Sequence, residues 1–358
     1  MKKVLNFATL IEILEKNQIN FIGIVITPWH VLGLESSILM LTEMGEQINP
    51  LFLILPHEET GFAIKEEDLN EFSYYFQDHI PHLRGFPEKM IQLIKSQWVY
   101  NRKSKLYFFS AMSYRVEEAI FISRLLRRKI AFGKVDEGVS TYMLAPSLFN
   151  NNWGIPKKRL ITRSIYKRIL SEHYNCNLFI SRFFTLKPNK LILPYYKKVL
   201  GISEVGKKSK NVVIATMAFS EDKVFNNEII RILKIIVDII KSNQFNCIIK
   251  PHPREVNAKE KYSCLNCYVE DNSMAMESLL VNIRPSIIIS FSSTCLITSK
   301  LFYNIFPISV INLTDLNNYG DIYQKEMVAF RKTFGNQISI PNSLEEFDLD
   351  LKKSINIV

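Results

Sequence analysis

Val212-Val213-Ile214-Ala215-Thr216 runs, after a short connection, into an amphipathic segment over 227–241, and that leads into Cys247-Ile248-Ile249-Lys250-Pro251-His252-Pro253. The first and third pieces are apolar runs without alternation, the pattern of strands buried on both faces. Between them Ile229, Leu233, Ile236 and Ile240 recur on one helical face, with Arg231, Lys234, Asp238 and Lys241 on the other. Strand, helix and strand in that order predict a βαβ unit of a parallel sheet. The alternation continues with a helix over 274–281, a strand over 286–289 and a helix from near Thr294. A last strand follows over 308–311.

Working back toward the N-terminus, the same rhythm appears. Residues 21–26 read as a buried strand, Thr27-Pro28-Trp29-His30 as its loop, and the chain to Met44 as a helix. Strands are predicted at 50–55, 105–110 and 129–135, with a helix over 114–128. The stretch 145–195 is basic and aromatic, with helix-like pieces such as 160–170, and 201–210 reads as a polar linker. A chain of 358 residues is long for one hydrophobic core. The expected architecture is therefore α/β with two Rossmann-like domains, 1–200 and 211–358, and a cleft between them. The two halves repeat a pattern and not a sequence.

Hydrophobic residues at 47% and charged residues at 22% are ordinary for a globular protein. No stretch is long and apolar enough to span a bilayer. The first 20 residues carry Lys2, Lys3, Glu12, Glu15 and Lys16 and lack a secretory leader's apolar run and cleavage site, so a cytoplasmic protein is expected. The five cysteines, Cys176, Cys247, Cys264, Cys267 and Cys295, are odd in number and scattered, which disfavours a disulfide framework. Cys264 and Cys267 form a lone CxxC without the second pair a zinc site needs. The net charge of +10 is concentrated: residues 157–210 hold 14 Lys or Arg against 2 Glu, a net of +12, and the remainder carries −2. Lys157, Lys158, Arg159, Arg163, Lys167 and Arg168 contribute, as do Lys197, Lys198, Lys207, Lys208 and Lys210. Such a field suits a polyanion or an anionic membrane face, and equally a solvated helix face followed by a basic linker.

Three short signals stand at the ends of predicted strands, where open α/β sheets place their chemistry. Asp136-Glu137-Gly138 supplies a carboxylate that can accept a proton from a hydroxyl, a second carboxylate pointing elsewhere, and a glycine that permits a sharp turn. It equally suits an acidic turn capping the next helix. Lys250-Pro251-His252-Pro253 fixes an imidazole between two restricted residues, beside positive charge that can hold a phosphate; the plain alternative is a proline-rich loop with a solvent histidine. Ser292, Ser293 and Thr294 open a predicted helix, whose free N–H groups favour an anion; the alternative is an ordinary N-cap. Together they suit transfer of a sugar from a nucleotide donor. His30 also follows a strand and is assigned, with Glu137 and Gly138, to the acceptor side. HExxH, GxxxxGK[ST], GxGxxG and GxSxG are all missing, and the one DxD, Asp348-Leu349-Asp350, lies in a weakly patterned tail. No metal ligand set is expected.

In their order, Asp136-Glu137-Gly138, His252-Pro253 and Ser292-Ser293 resemble the (D/E)-(D/E)-G, HP and paired Ser-Ser/Thr motifs of the bacterial sialyltransferases. That group takes in the lipooligosaccharide and capsule sialyltransferases and the polysialyltransferases. The extended Asp-Glu-Gly-Val-Ser-Thr-Tyr, ending at Tyr142, and the first strand with Thr27-Pro28 add to the likeness. The resemblance covers three loops and a domain pattern. It implies a GT-B fold, CMP-sialic acid as donor, inversion at the anomeric carbon, and neither metal nor other cofactor. By motif position Asp136 is the base on the acceptor hydroxyl, and His252 binds the donor phosphate and helps CMP leave. Ser292 and Ser293 hydrogen-bond that phosphate, with Lys250, Pro253 and Thr294 counted among the donor-binding residues. The acceptor is expected to be a galactose-ended oligosaccharide or growing polysialic acid of capsule or lipooligosaccharide, and the basic stretch suits a polyanionic acceptor and, equally, docking of a cytoplasmic protein on the anionic inner face of the cell membrane. A CDP-glycerol or CDP-ribitol phosphotransferase shares the HP and serine loops but not the expected acid arrangement. A non-enzymatic scaffold for polyanions or membranes is the third reading.

Overall fold

The computed structural model describes residues 4–5, 7–54, 73–76, 105–111, 128–136, 138, 172–182, 185–202, 208–217, 223–252, 255, 257–270, 276–314 and 321–355. The helices expected over 114–128 (all but Arg128) and 160–170, and Lys157, Lys158, Arg159, Arg163, Lys167 and Arg168, lie outside these residues. The chain divides into two compact units. One comprises Met1–Glu137, Pro146–Arg182 and Leu186–Val199; the other comprises Leu200–Val358 with Gly138–Ala145 and Phe183–Thr185.

The first unit carries a parallel sheet of seven strands: β1 (Val4–Leu5), β2 (Phe21–Val25), β3 (Pro50–Ile54), β4 (Ser73–Phe76), β5 (Lys105–Ser110), β6 (Lys129–Val135) and β7 (Glu172–Cys176). Their order across the sheet is β1-β4-β3-β2-β5-β6-β7. Every residue of β2 is buried, as its unbroken apolar run requires. Leu10 and Leu14 of helix α1 (Phe7–Lys16) close one core with Ile22, Ile24, Leu51, Leu53, Leu106, Phe108, Ile130 and Phe132. Each such side chain contributes about 1.5–3 kcal/mol by leaving water. Phe109 pairs with Gly133 across β5 and β6, and its ring occupies the space a side chain at 133 would need, 2.2 Å from where a Cβ would stand. Helix α2 (Pro28–Glu43) starts at Pro28, whose fixed φ suits a first helical position, after an extended Thr27. Helix α3 (Leu193–Val199) lies against α2 and buries Tyr196.

The second unit carries five parallel strands, β8 (Ser209–Ala215), β9 (Asn246–Lys250), β10 (Tyr268–Val269), β11 (Pro285–Ser290) and β12 (Phe306–Ser309), in the order β10-β9-β8-β11-β12. Helix α4 (Lys223–Ser242) buries Ile229, Leu233, Ile236 and Ile240, the stripe read from the sequence. Helices α5 (Ala258–Lys261), α6 (Met276–Ile283), α7 (Thr294–Tyr303), α8 (Asp321–Phe334) and α9 (Leu344–Ile355) complete it. The tail holding Asp348 and Asp350 is thus helical. Phe347 and Leu351 anchor it, and the two carboxylates pair with Lys352 and Lys353. The linker expected over 201–210 ends early, because Ser209 and Lys210 already belong to β8. Cys267 meets Cys247 across neighbouring strands, which holds the Cys247 thiol up and the Cys267 thiol down, and Cys264 is exposed.

Candidate active site

Because all strands of the second sheet run parallel, their C-terminal ends open on one edge. Thr216 follows β8, Lys250-Pro251-His252 ends β9, and Phe291 to Thr294 follows β11. The loops are tied to one another. The Thr216 N–H donates to the Lys250 carbonyl at 3.1 Å, Ser290 Oγ donates to the Ala215 carbonyl at 2.7 Å, and Ser292 Oγ lies 3.3 Å from Met217 Sδ.

The backbone of His252 is fixed by a group the sequence reading passed over. Its N–H donates to Glu255 Oε2 at 2.9 Å and to Thr216 Oγ1 at 3.0 Å, and its carbonyl accepts from the Glu255 N–H at 2.9 Å. Glu255 is buried and also takes the Thr216 hydroxyl, the Tyr262 hydroxyl at 2.5 Å and the Lys261 ammonium at 2.7 Å. Burial and the Glu255 charge push the Tyr262 phenol up. The imidazole is thus carried on a turn whose main chain is held by the side chains of Thr216, just after β8, and Glu255, just before α5. His252 itself is half-buried.

Lys250 points inward. Its ammonium is buried and donates to the Pro251 carbonyl at 3.0 Å. It faces Glu277, whose carboxyl burial pushes up while the Lys250 charge opposes that push. Ser293 is the N-cap of α7 and accepts the Cys295 N–H at 3.3 Å. The cap uses a lone pair, so the hydroxyl proton can still be given to an anion's oxygen. Thr294 begins the helix, and Ser292 and Ser293 precede it at the positive end of the peptide dipoles. Gly138, counted in this second unit, has φ +104° and is buried; a Cβ there would stand 2.8 Å from Thr294 Oγ1. Only glycine meets both demands.

In the first unit Asp136 ends β6 and is 1% exposed. Its Oδ2 accepts the Leu178 N–H at 3.0 Å. Asn189 steadies that partner: its Nδ2 donates to the Asn175 and Asn177 carbonyls at 3.0 and 2.9 Å, and its N–H donates to the Leu178 carbonyl at 2.7 Å. Tyr196, whose phenol burial and the Asp136 charge both raise, packs beside Asp136, its ring centroid 5.8 Å from that of Trp29. The space for Tyr196 exists because position 33 is glycine, where a Cβ would lie 2.8 Å from the tyrosine oxygen.

His30, assigned to the acceptor side from sequence, is 4% exposed, and its Nδ1 accepts the Ile26 N–H at 3.2 Å. Burial lowers its pKa to about 4. In the structure this imidazole caps the turn between β2 and α2. Glu137 and Pro253 lie outside the described residues. Among the described residues no group of three His, Cys, Asp or Glu side chains is placed to hold a metal ion, and no helix is long and apolar enough to cross a membrane. Thr216 and Glu255 were the omissions of sequence reasoning. Thr216 ends a strand as the other three signals do, and Glu255 stands three residues after His252, the spacing of a reciprocal cap.

Residues 21–312 match the family model for alpha-2,8-polysialyltransferase. No curated protein matches the chain. Among solved structures, the chain is similar to a Listeria monocytogenes protein assigned as a UDP-N-acetylglucosamine 2-epimerase (10% identity, 94% of this chain and 87% of that one, TM-score 0.50). It also aligns with an alpha/beta-galactoside alpha-2,3-sialyltransferase from Photobacterium phosphoreum (14%, 89% and 98%, 0.45). A third is a 2,6-sialyltransferase from Photobacterium sp. JT-ISH-224, in complex with CMP and lactose (11%, 89% and 78%, 0.41). At these identities the likeness is one of fold, two parallel-sheet α/β units of the GT-B type.

Proposed function

The chain belongs to the alpha-2,8-polysialyltransferase family, and from that membership we propose that it moves sialic acid from CMP-sialic acid to a cell-surface glycan, by inversion and without a metal. It is a sialyltransferase that uses a nucleotide-sugar donor and a glycan acceptor; the identity of each partner and the chemistry are this reading's own content. The observation that carries it is the gathering of His252, Ser292, Ser293 and the α7 N-terminus on one sheet edge, within the residues that match the family.

The donor's phosphate sits at that edge. Ser292 and Ser293 donate to its oxygens, the α7 N–H groups face it, and His252 stabilises the charge that develops as CMP departs. These groups supply the positive potential that a divalent cation supplies in other transferases. Asp136 takes the proton of the acceptor hydroxyl as its oxygen bonds to the anomeric carbon and the bond to the CMP phosphate breaks. The Leu178 N–H orients the carboxylate that receives the proton. Lys250 acts from inside, by charge and by shaping the Pro251 carbonyl, and not by touching the donor. The family points to an acceptor ending in sialic acid. The +12 segment supports a polyanionic acceptor and, equally, docking on an anionic membrane surface.

The test incubates purified protein with CMP-sialic acid in EDTA and follows CMP release with lactose and with a sialic-acid-ended oligosaccharide. Release with the sialylated acceptor, and little with lactose, is expected. Absence of release with every galactose- or sialic-acid-ended acceptor overturns the function, and release only after a divalent metal is restored overturns metal independence.

A further inference from the structure

Glu255 poses a physical problem. A carboxylate beside a site for a donor phosphate repels that phosphate, and a charge buried in a protein costs several kcal/mol in lost hydration. Its side chain is 5% exposed, yet it is a glutamate. Both difficulties are answered by its partners. Lys261 neutralises it at 2.7 Å, and Thr216, Tyr262 and the His252 N–H occupy its oxygens. Such a network is retained where a geometry must be held, since any partner's departure leaves a buried charge short of a bond.

What it holds is specific. The Glu255 carboxylate binds the N–H of His252, and the Glu255 N–H binds the carbonyl of His252. Both polar groups of the histidine's main chain are therefore clamped by one residue, three positions along. The same carboxylate reaches Thr216 at the end of the neighbouring strand β8 and Tyr262 next to α5. Cα and Cβ of His252 are set by that clamp, and so is the direction in which the imidazole leaves the main chain.

We propose that Glu255 is the positioning residue of the donor site, aiming the imidazole of His252 at the departing CMP phosphate. This rests on the sialyltransferase reading of the sheet edge. Glu255 touches neither donor nor acceptor; it acts through His252. A displacement of the imidazole by about 1 Å costs on the order of 100-fold in rate, and the loss falls on kcat because the phosphate charge develops in the transition state.

The experiment is a double-mutant cycle with Glu255→Gln and His252→Gln, measured as CMP release and acceptor transfer. Rates are scaled to the folded fraction from CMP-binding stoichiometry. Glu255→Gln is expected to lower kcat per folded molecule about 10- to 100-fold, with the acceptor KM unchanged. In the His252→Gln background it is expected to add nothing. A residue that only supports the fold lowers the folded fraction and takes the same toll in both backgrounds; that outcome, or an unchanged kcat, overturns the proposal. Should Glu255→Gln not fold, Thr216→Val enters the same cycle, because it removes a hydroxyl from the His252 N–H and from the carboxylate at constant shape. An unchanged kcat there overturns the proposal too. Wild-type protein that releases no CMP with any acceptor sinks the sialyl-transfer reading instead, and the cycle is never reached.

Discussion

Replacing Asp136 by Asn removes the capacity to take a proton while keeping the shape that holds Leu178. Oδ2 now accepts the Leu178 N–H at 3.0 Å inside a site where Asp136 is 1% exposed. A bond from an N–H to a charged acceptor contributes about 1.5–3 kcal/mol and one to a neutral acceptor about 0.5–1.5 kcal/mol. The amide oxygen of Asn can still accept, so the expected loss is about 1–1.5 kcal/mol, or roughly 2–6 °C in melting temperature. Asp136→Ala differs, because it leaves the Leu178 N–H without that acceptor, at a cost of about 1–3 kcal/mol, and opens space below Tyr196. Loss of the base lowers the chemical step by about 100- to 10,000-fold in both variants. The assay is CMP release with a sialic-acid-ended acceptor, per folded molecule, beside calorimetric melting. The two variants are expected to match in rate and to differ in stability. An Asn variant that keeps more than about a tenth of the wild-type rate removes Asp136 from the role of base, since a base is worth at least 100-fold. Rates that fall in step with the two melting temperatures make it a structural acid.

Gly138→Ala places a side chain at φ +104° and against Thr294 Oγ1; a loss of about 1–3 kcal/mol from backbone strain is expected, read as a lower urea midpoint, and an unchanged midpoint refutes the steric account. His30 is buried and neutral, with its pKa lowered to about 4 from 6.5. Between those values the unfolded chain binds the proton and the folded one does not, so this contribution is complete above pH 6.5 and lost as pH falls toward 4. The span is about 3 kcal/mol. His30→Asn, which keeps an acceptor near Ile26 without titrating, is expected to flatten that part of the stability–pH curve, and an identical slope in the variant refutes the assignment. Gly133→Ala sets a methyl against the Phe109 ring at 2.2 Å; overpacking of about 1–3 kcal/mol is expected in thermal melts, and a variant as stable as wild type shows that the ring has room to turn.

Strands β2, β3, β5, β6, β8, β9, β11 and β12 were legible because each is built on an apolar run, and such runs need no tertiary information to be seen, whereas β1, β7 and β10, short or polar, carry no such signal. Val212 to Ala215, Cys247 to Ile249 and Lys105 to Ser110 all fall where the pattern places them. The helix stripe of Ile229, Leu233, Ile236 and Ile240 is equally local. Ser73 to Phe76 escaped reading, since a four-residue strand with a polar start carries little periodic signal. Its place is set by pairing with Phe52 to Ile54 on one side and Val4 and Leu5 on the other.

The site divides in the same way. The residue types at strand ends, an acid in the first unit and an imidazole and a hydroxyl pair in the second, are legible in the sequence, because each parallel sheet delivers its own strand ends to one edge. Which way each side chain turns is not. His30 and Lys250 look alike in sequence to a ligand and a phosphate clamp, and both face inward, His30 accepting the Ile26 N–H and Lys250 donating to the Pro251 carbonyl. Glu255 shows the converse. Its spacing from His252 hints at a cap but not at burial, and its role comes from Thr216, 39 residues away along the chain, with Lys261 arriving at the end of the next helix and Tyr262 just after it. Hydrophobic period is written along the chain and survives without a fold. The pairing of buried polar groups depends on which distant segments meet, and only tertiary structure decides that.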